Sequence, residues 1–457
     1  MTDSQDRNRW IFAFYLALLV WIPIPLGSNR AWSVAVLEVW VLLLAIAWLA
    51  GFVRGRNSFS PALAGARPVL LCMAAWLSLT WMQLLPLPLP LLEMISPEAA
   101  RWHGAAAIAG NPGWAPLTLD RYGTLDGACR STAYVAFFAL TLVLLRDTTR
   151  IRWATYAVVA SGVTQSIYGV ATALQSPGGL ATGTFVNRNH FAAYLVMCLC
   201  VGIGVLIASL SGSGSRSWRE SMKGVIGWLI SPKMGLRLLI VAMVIPLVLT
   251  RSRMGNVAFF IGLLATGLIG LALSRKTTRS MVVLLASLVV IDLFLVGAYF
   301  GAQRVIERIG ETTMQAEDRD EVAQYALRMW SDFPLLGSGL GSFASVFPRY
   351  SGQGTASSYT HAHNDYLEFA AETGAIGLSL LALIVTLSFA AALRAQRQRR
   401  DAVMRGISFA SMMAIIALMV HSFADFNLQI PANALTFMLM LGFGWVSLHA
   451  TRDLAEA

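Results

Sequence analysis

Apolar residues in this chain gather in unbroken runs of helix length and do not alternate with polar ones. Runs near 20 residues match the roughly 30 Å hydrocarbon core of a bilayer when coiled as helix. The short alternating segments of an outer-membrane barrel are not present in the pattern. Length and flanking charge predict an all-α, polytopic membrane protein with about twelve transmembrane helices, near 10–27, 32–52, 68–86, 127–145, 152–174, 190–210, 235–250, 254–274, 280–301, 364–393, 404–422 and 432–449. The chain divides accordingly. Residues 1–301 carry about nine spans, 302–360 form a long outer loop, and 361–457 carry about three more.

Composition agrees with this reading. Of 457 residues, 56% are hydrophobic and only 13% charged, and the mean hydropathy is +0.63. A soluble chain of this length needs far more charge. With the N-terminus placed in the cytoplasm, 22 of the 34 Lys and Arg residues fall on inner segments, an asymmetry that sets both termini inside. The net charge of +10 is then a topology signal and does not point to nucleic acid. The first apolar run holds Trp21, Pro23 and Pro25 and lacks a small-residue cleavage site, so it reads as a retained signal-anchor. Cys72, Cys129, Cys198 and Cys200 lie in or beside apolar spans, with neither a disulfide nor a zinc spacing, and read as small core residues.

Two outer loops are long. The first, about Leu87 to Asp126, is rich in Pro, Gly and Trp and reads as a lid packed on the outer face. In the second, Asp318 and Glu321 have the spacing of a capping box. After them Val322, Ala326, Met329, Trp330 and Phe333 recur at helical spacing until Pro334, predicting an amphipathic helix. Gly337-Ser-Gly-Leu-Gly341 lacks the strand and helix context of a dinucleotide fingerprint and reads as a flexible turn. No internal repeat or pair of interrupted helices of the transporter kind stands out.

The segment His361 to Gly374 crowds two histidines and several acids and amides where the outer loop enters an apolar span. Ionisable groups in that position are expensive and usually face a protein-lined cavity. Helical spacing from His363 puts Asn364, Asp365, Glu368 and Glu372 on one stripe about 100° wide. A neutral imidazole near this boundary can act as a base, and His361 reads either as a solvated loop residue or as support for it. Arg251 and Arg253 break the positive-inside pattern, and either snorkel to headgroups or hold an anion. Arg319, in the first turn of the loop helix, either pairs with Glu317, Asp318 or Asp320 or binds phosphate bidentately. The three lysines all lie inside, which leaves arginine, the better oxyanion ligand, as every outer cation. His361 and His363 are spaced by two with no further ligand set, so no metal site and no cofactor are expected.

Several blocks, in order, resemble the O-antigen ligase and Wzy polymerase superfamily. They are Gly183-Thr-Phe-Val-Asn-Arg-Asn-His-Phe-Ala-Ala-Tyr194, Ser252-Arg253, Arg319 through Trp330 to Phe343, His363-Asn364 through Glu372 to Gly377, and His421-Ser-Phe-Ala-Asp425 ahead of Pro431. The resemblance implies a GT-C-like glycosyltransferase of the bacterial inner membrane. Such an enzyme moves a glycan from undecaprenyl diphosphate to a hydroxyl at the periplasmic face, without metal or nucleotide sugar. The acceptor is lipid A–core for a ligase and a growing lipid-linked glycan for a polymerase. By motif position the resemblance maps a catalytic base onto His363 and diphosphate ligands onto Arg253 and Arg319, with Arg251 beside them. Arg188 stands where the family more often has a small residue or proline, and offers one more anion contact. Asn364 or Glu372 is expected to orient His363. O-antigen ligation leads; O-antigen or exopolysaccharide polymerisation uses the same chemistry, and a small-anion (bicarbonate-like) transporter is the competing class.

Overall fold

A computed structural model describes residues 8–106, 113–175, 178–210, 232–273, 320–351 and 359–450. The regular structure of the described part is helical apart from one pair of short strands. The helices are α1 (Arg9–Trp21), α2 (Ala31–Val53), α3 (Arg67–Met82), α4 (Leu89–Ile95), α5 (Pro97–Ala106), α6 (Arg121–Leu144), α7 (Thr148–Gln175), α8 (Arg188–Leu210), α9 (Pro232–Leu249), α10 (Arg253–Leu273), α11 (320–332), α12 (Asp365–Gln398), α13 (Ala402–His421) and α14 (Pro431–His449). Short strands β1 (Pro86–Pro88) and β2 (Trp114–Pro116) pair antiparallel, with Leu87 opposite Ala115.

Eight of these helices are long and apolar enough to cross a membrane: α2, α6, α7, α8, α10, α12, α13 and α14. Helices α1, α3 and α9 are apolar but shorter. Each of these eleven lies on a predicted span, whereas the predicted span 280–301 falls outside the described residues. The first span stops at Trp21, short of the expected residue 27, because Pro23 and Pro25 cannot continue the hydrogen-bond ladder and Leu26, Gly27 and Ser28 turn at positive φ.

Helix α13 is the centre of the bundle and is buried along nearly its whole length. Helices α8 and α10 pack on one side of it, and α12 and α14 on the other. The approach to α8 is close enough that a Cβ on Gly406 would sit 2.4 Å from the carbonyl oxygen of Gly204. Small residues let membrane helices meet this way, since lipid supplies no hydrophobic drive between them.

The described residues of the two long loops form one cap on the end of the bundle, with its own apolar core. Leu92, Ala99 and Leu117 from the first loop pack with Val322, Met329, Phe333, Phe343 and Phe347 from the second. The Arg349 guanidinium lies 4.2 Å from the centroid of the Trp102 ring, a cation–π contact joining the two halves. The amphipathic helix is present as α11, with Val322, Ala326 and Met329 buried and Phe333 just past its end. Asp318 of the expected capping box lies outside the described residues.

Gly337 to Gly341 is not the flexible turn its composition predicts. It is a buried joint, wedged into a break in α12. Gly374 adopts φ 65° and ψ −172°, a region open almost only to glycine, and this frees backbone groups on both sides. The freed carbonyls of Ala371 and Glu372 accept from the Ser338 and Gly339 N–H groups at 3.0 Å each. The freed N–H groups of Ala375 and Ile376 donate to Pro334 and Leu335 at 2.8 and 3.2 Å. Gln83, at the end of α3, closes the joint by donating to the Leu336 and Glu372 carbonyls and accepting from the Leu340 N–H. The cap and the bundle are thereby held as one piece at the level of the candidate residues.

Candidate functional site

Four helix N-termini meet at the end of the bundle beneath the cap. Asn433 of α14 donates to the His190 carbonyl on α8 at 3.1 Å. The Leu428 N–H, just before α14, donates to the Asp365 carboxylate on α12. Gly255 of α10 faces Ala192 of α8, where an added Cβ would meet the alanine methyl at 2.7 Å. The dipoles of these helices make this end electropositive and favour an anion there.

His363 stands immediately before α12. Asn364 is the N-cap of that helix: its Oδ1 accepts from the Tyr366 and Leu367 N–H groups at 3.0 and 3.2 Å, and its Nδ2 donates to the Phe423 carbonyl. The sequence led us to expect that it orients His363; its side chain is instead spent on the helix end and the Phe423 carbonyl. Glu372 does not orient His363 either. Its carboxylate accepts from the Phe343 N–H at 3.0 Å, within the loop joint. The group beside His363 is Asp425, whose Oδ1 lies 3.6 Å from the His363 Nδ1. The His363 backbone is held at φ 50°, an uncommon conformation for a side chain of this type.

Asp425 is 1% exposed and gathers a second histidine, with His190 Nε2 3.5 Å from the same Oδ1. Both separations lie just beyond hydrogen-bond length. The Phe426 N–H donates to that oxygen at 2.9 Å. Burial pushes the Asp425 carboxyl up, but the His190 and His363 side chains, and the charge of His190 and His421, pull it well below the usual carboxylate range. The Phe426 ring is a post for three imidazoles. His361 stacks on its face at 4.1 Å, and His190 and His363 meet it edge-on at 4.6 and 4.9 Å.

His361 is a fixed part of the loop. Its Nδ1 lies 2.7 Å from Glu368, whose other oxygen accepts from the Ala362 N–H at 2.8 Å, so the carboxylate grips the loop at positions 361 and 362. Asp365 accepts from the Ser422 hydroxyl at 2.7 Å, which ties the start of α12 to the segment carrying Asp425. Asp365, Glu368 and Glu372 are all buried, as the polar stripe requires.

The arginines divide into three cases. Arg253 opens α10 and is exposed, Arg251 is half-buried in the turn before it, and Arg188 is half-buried at the start of α8. Arg251 is at φ 52°, so both it and His363 occupy the left-handed region. Arg319 lies outside the described residues. Beside the imidazole cluster, between α3, α6, α12 and α14, is an apolar cavity of about 530 Å³, lined among others by Trp76, Arg130, Asp365, Phe369, Ser422 and Phe437. Among the described residues no three His, Cys, Asp or Glu side chains gather in a way that would hold a metal ion.

Sequence reasoning missed Asp425, His190 and His421 as site members. All three stand in the blocks that carried the resemblance, and each is a polar residue at the end of an apolar run, the same signal that singled out His363.

Fold and site together define a multi-pass helical membrane protein with an imidazole–carboxylate cluster at one end of its bundle. Residues 238–382 match the family model described as Wzy_C: O-antigen ligase, which supports the resemblance to the O-antigen ligase and Wzy superfamily of glycosyltransferase-like enzymes. The match takes in α10, α11, His363 and the first half of α12, and excludes His190 and Asp425. No curated protein matches the chain.

Proposed function

We propose that the protein transfers a glycan from undecaprenyl diphosphate to an acceptor hydroxyl at the periplasmic face, and that the acceptor is lipid A–core, as in O-antigen ligation. The observation that carries this reading is the placement of His363. It combines a buried carboxylate at one ring nitrogen with a quarter-exposed side chain, in a strained loop at the arginine-bearing end of the bundle.

With Nδ1 turned to Asp425, the Nε2 of His363 is left to act as base. The acceptor oxygen attacks the anomeric carbon of the glycan as its proton passes to Nε2. The bond from that carbon to the phosphate oxygen breaks, and its electron pair leaves on the diphosphate. Arg251, Arg253 and Arg188, with Arg319 from the outer loop, stabilise the departing charge, helped by the converging helix N-termini. The apolar cavity offers room for part of the carrier's hydrocarbon chain, at a size typical of ligand sites. Under this reading both termini are cytoplasmic and the cap is periplasmic.

Transport is the weaker alternative for a structural reason. Broken helices bind ions in many transporters through their unwound backbone. The break in α12 has the right form, but the groups it frees are taken up by residues 334–339. Polymerisation differs from ligation only in the acceptor. Deleting the gene separates them: loss of long glycan from lipid A–core is the expected result, whereas chains that stay one repeat long would make the protein a polymerase. An unchanged glycan profile would overturn both.

A further inference from the structure

His190 has no part in the chemistry just described, yet it is the second imidazole on the one carboxylate that His363 faces. It is buried and held by two contacts. Its side chain is 5% exposed, its ring meets the edge of Phe426, and its backbone carbonyl accepts from Asn433. His190 Nε2 and His363 Nδ1 approach the same Asp425 oxygen at 3.5 and 3.6 Å from different helical segments. The other carboxylate oxygen, Oδ2, is buried and has no hydrogen-bond partner in the structure. The side chain of Asp425 is therefore located by what pulls on Oδ1, and His190 is the more deeply buried and more rigidly held of the two imidazoles.

We propose that His190 is a positioning residue for glycan transfer, acting on His363 through the Asp425 carboxylate that the two imidazoles share. Without His190 the carboxylate would be held only by the neighbouring Phe426 N–H and by a quarter-exposed ring in a strained loop. Held also from α8, it stays fixed, and it fixes the ring in turn. The depressed carboxyl of Asp425 fits this arrangement, since the His190 side chain is the first of the influences that lower it. The remaining titratable neighbours are His421 at the end of α13 and Asp365 at the start of α12. Neither of them bridges to His363.

This inference rests on His363 being the base, and the experiment keeps the two apart. Transfer from an undecaprenyl-diphosphate-linked glycan is measured with purified protein for His190→Phe, Asp425→Asn and the double variant. His190→Phe is expected to lower kcat about tenfold with the donor KM within about twofold, because a positioning group moves the chemical step and not binding. In the double variant the loss is expected to be no greater than in Asp425→Asn alone. His190→Gln, whose amide N–H extends about as far from the backbone as the imidazole Nε2, is expected to regain most of the rate. Losses that multiply in the double variant, or an unchanged kcat in His190→Phe, would overturn the proposal. If His190→Phe does not fold, His190→Ala assayed with and without added imidazole decides: rescue supports the role, and no rescue contradicts it. Full transfer in His363→Gln would instead sink the base assignment, whatever His190 does.

Discussion

Asp425 is the residue on which the site turns, because its buried carboxylate is within 4 Å of two imidazoles. Its carboxyl is held below the ordinary value near 3.9 of an unfolded chain. A carboxyl lowered on folding stabilises the native state fully above the unfolded value, and that contribution is lost as pH falls through the folded one. Thermal unfolding in detergent should therefore show stability falling as pH drops below about 4. Asp425→Asn, which carries no titrating carboxyl, should lose part of that acid dependence. An identical pH profile in the two proteins would mean the carboxylate is not held as described. His361, which the sequence left open between a solvated loop residue and a support for the base, is held within its own loop by a 2.7 Å contact with buried Glu368.

At the scale of elements, the joint between the outer loop and α12 is the feature least visible in the sequence. Gly337 sits at φ 72°, and a Cβ there would come within 2.1 Å of the Glu372 backbone carbon, which has no room to yield. Gly337→Ala should destabilise the protein by about 2 kcal/mol or more, combining backbone strain with overpacking. Gly235→Ala on α9, where nothing lies within 4 Å, should be close to neutral. Equal melting temperatures for the two variants would show that the joint is not a rigid contact. The helices themselves were legible because burial in lipid requires long apolar runs, and α11 because Val322, Ala326 and Met329 repeat at helical spacing. The break at Gly374 was not, since residues 364–393 read as one continuous span and its partners lie some 35 residues earlier. Only a long-range contact distinguishes a packed glycine loop from a flexible one.

Over the whole molecule, one end of the bundle brings together the starts of α8, α10, α12 and α14, the end of α13, and a cap built from two loops far apart in sequence. The sequence located His363, Arg188, Arg251 and Arg253 as residues of this end but misjudged what holds His363. Asn364 and Glu372 are its neighbours along the chain, and the side chains of both are engaged with backbone groups. The carboxylate that faces it comes from 62 residues further on, and helical periodicity reports nothing across that distance. The most direct test of the account is the rate of glycan transfer from undecaprenyl diphosphate to lipid A–core in proteoliposomes, comparing the parent protein with His363→Gln. If an imidazole base drives the reaction, the rate should fall by about 10²–10⁴-fold while the variant inserts and folds normally. A variant that transfers glycan at close to the parent rate would contradict it.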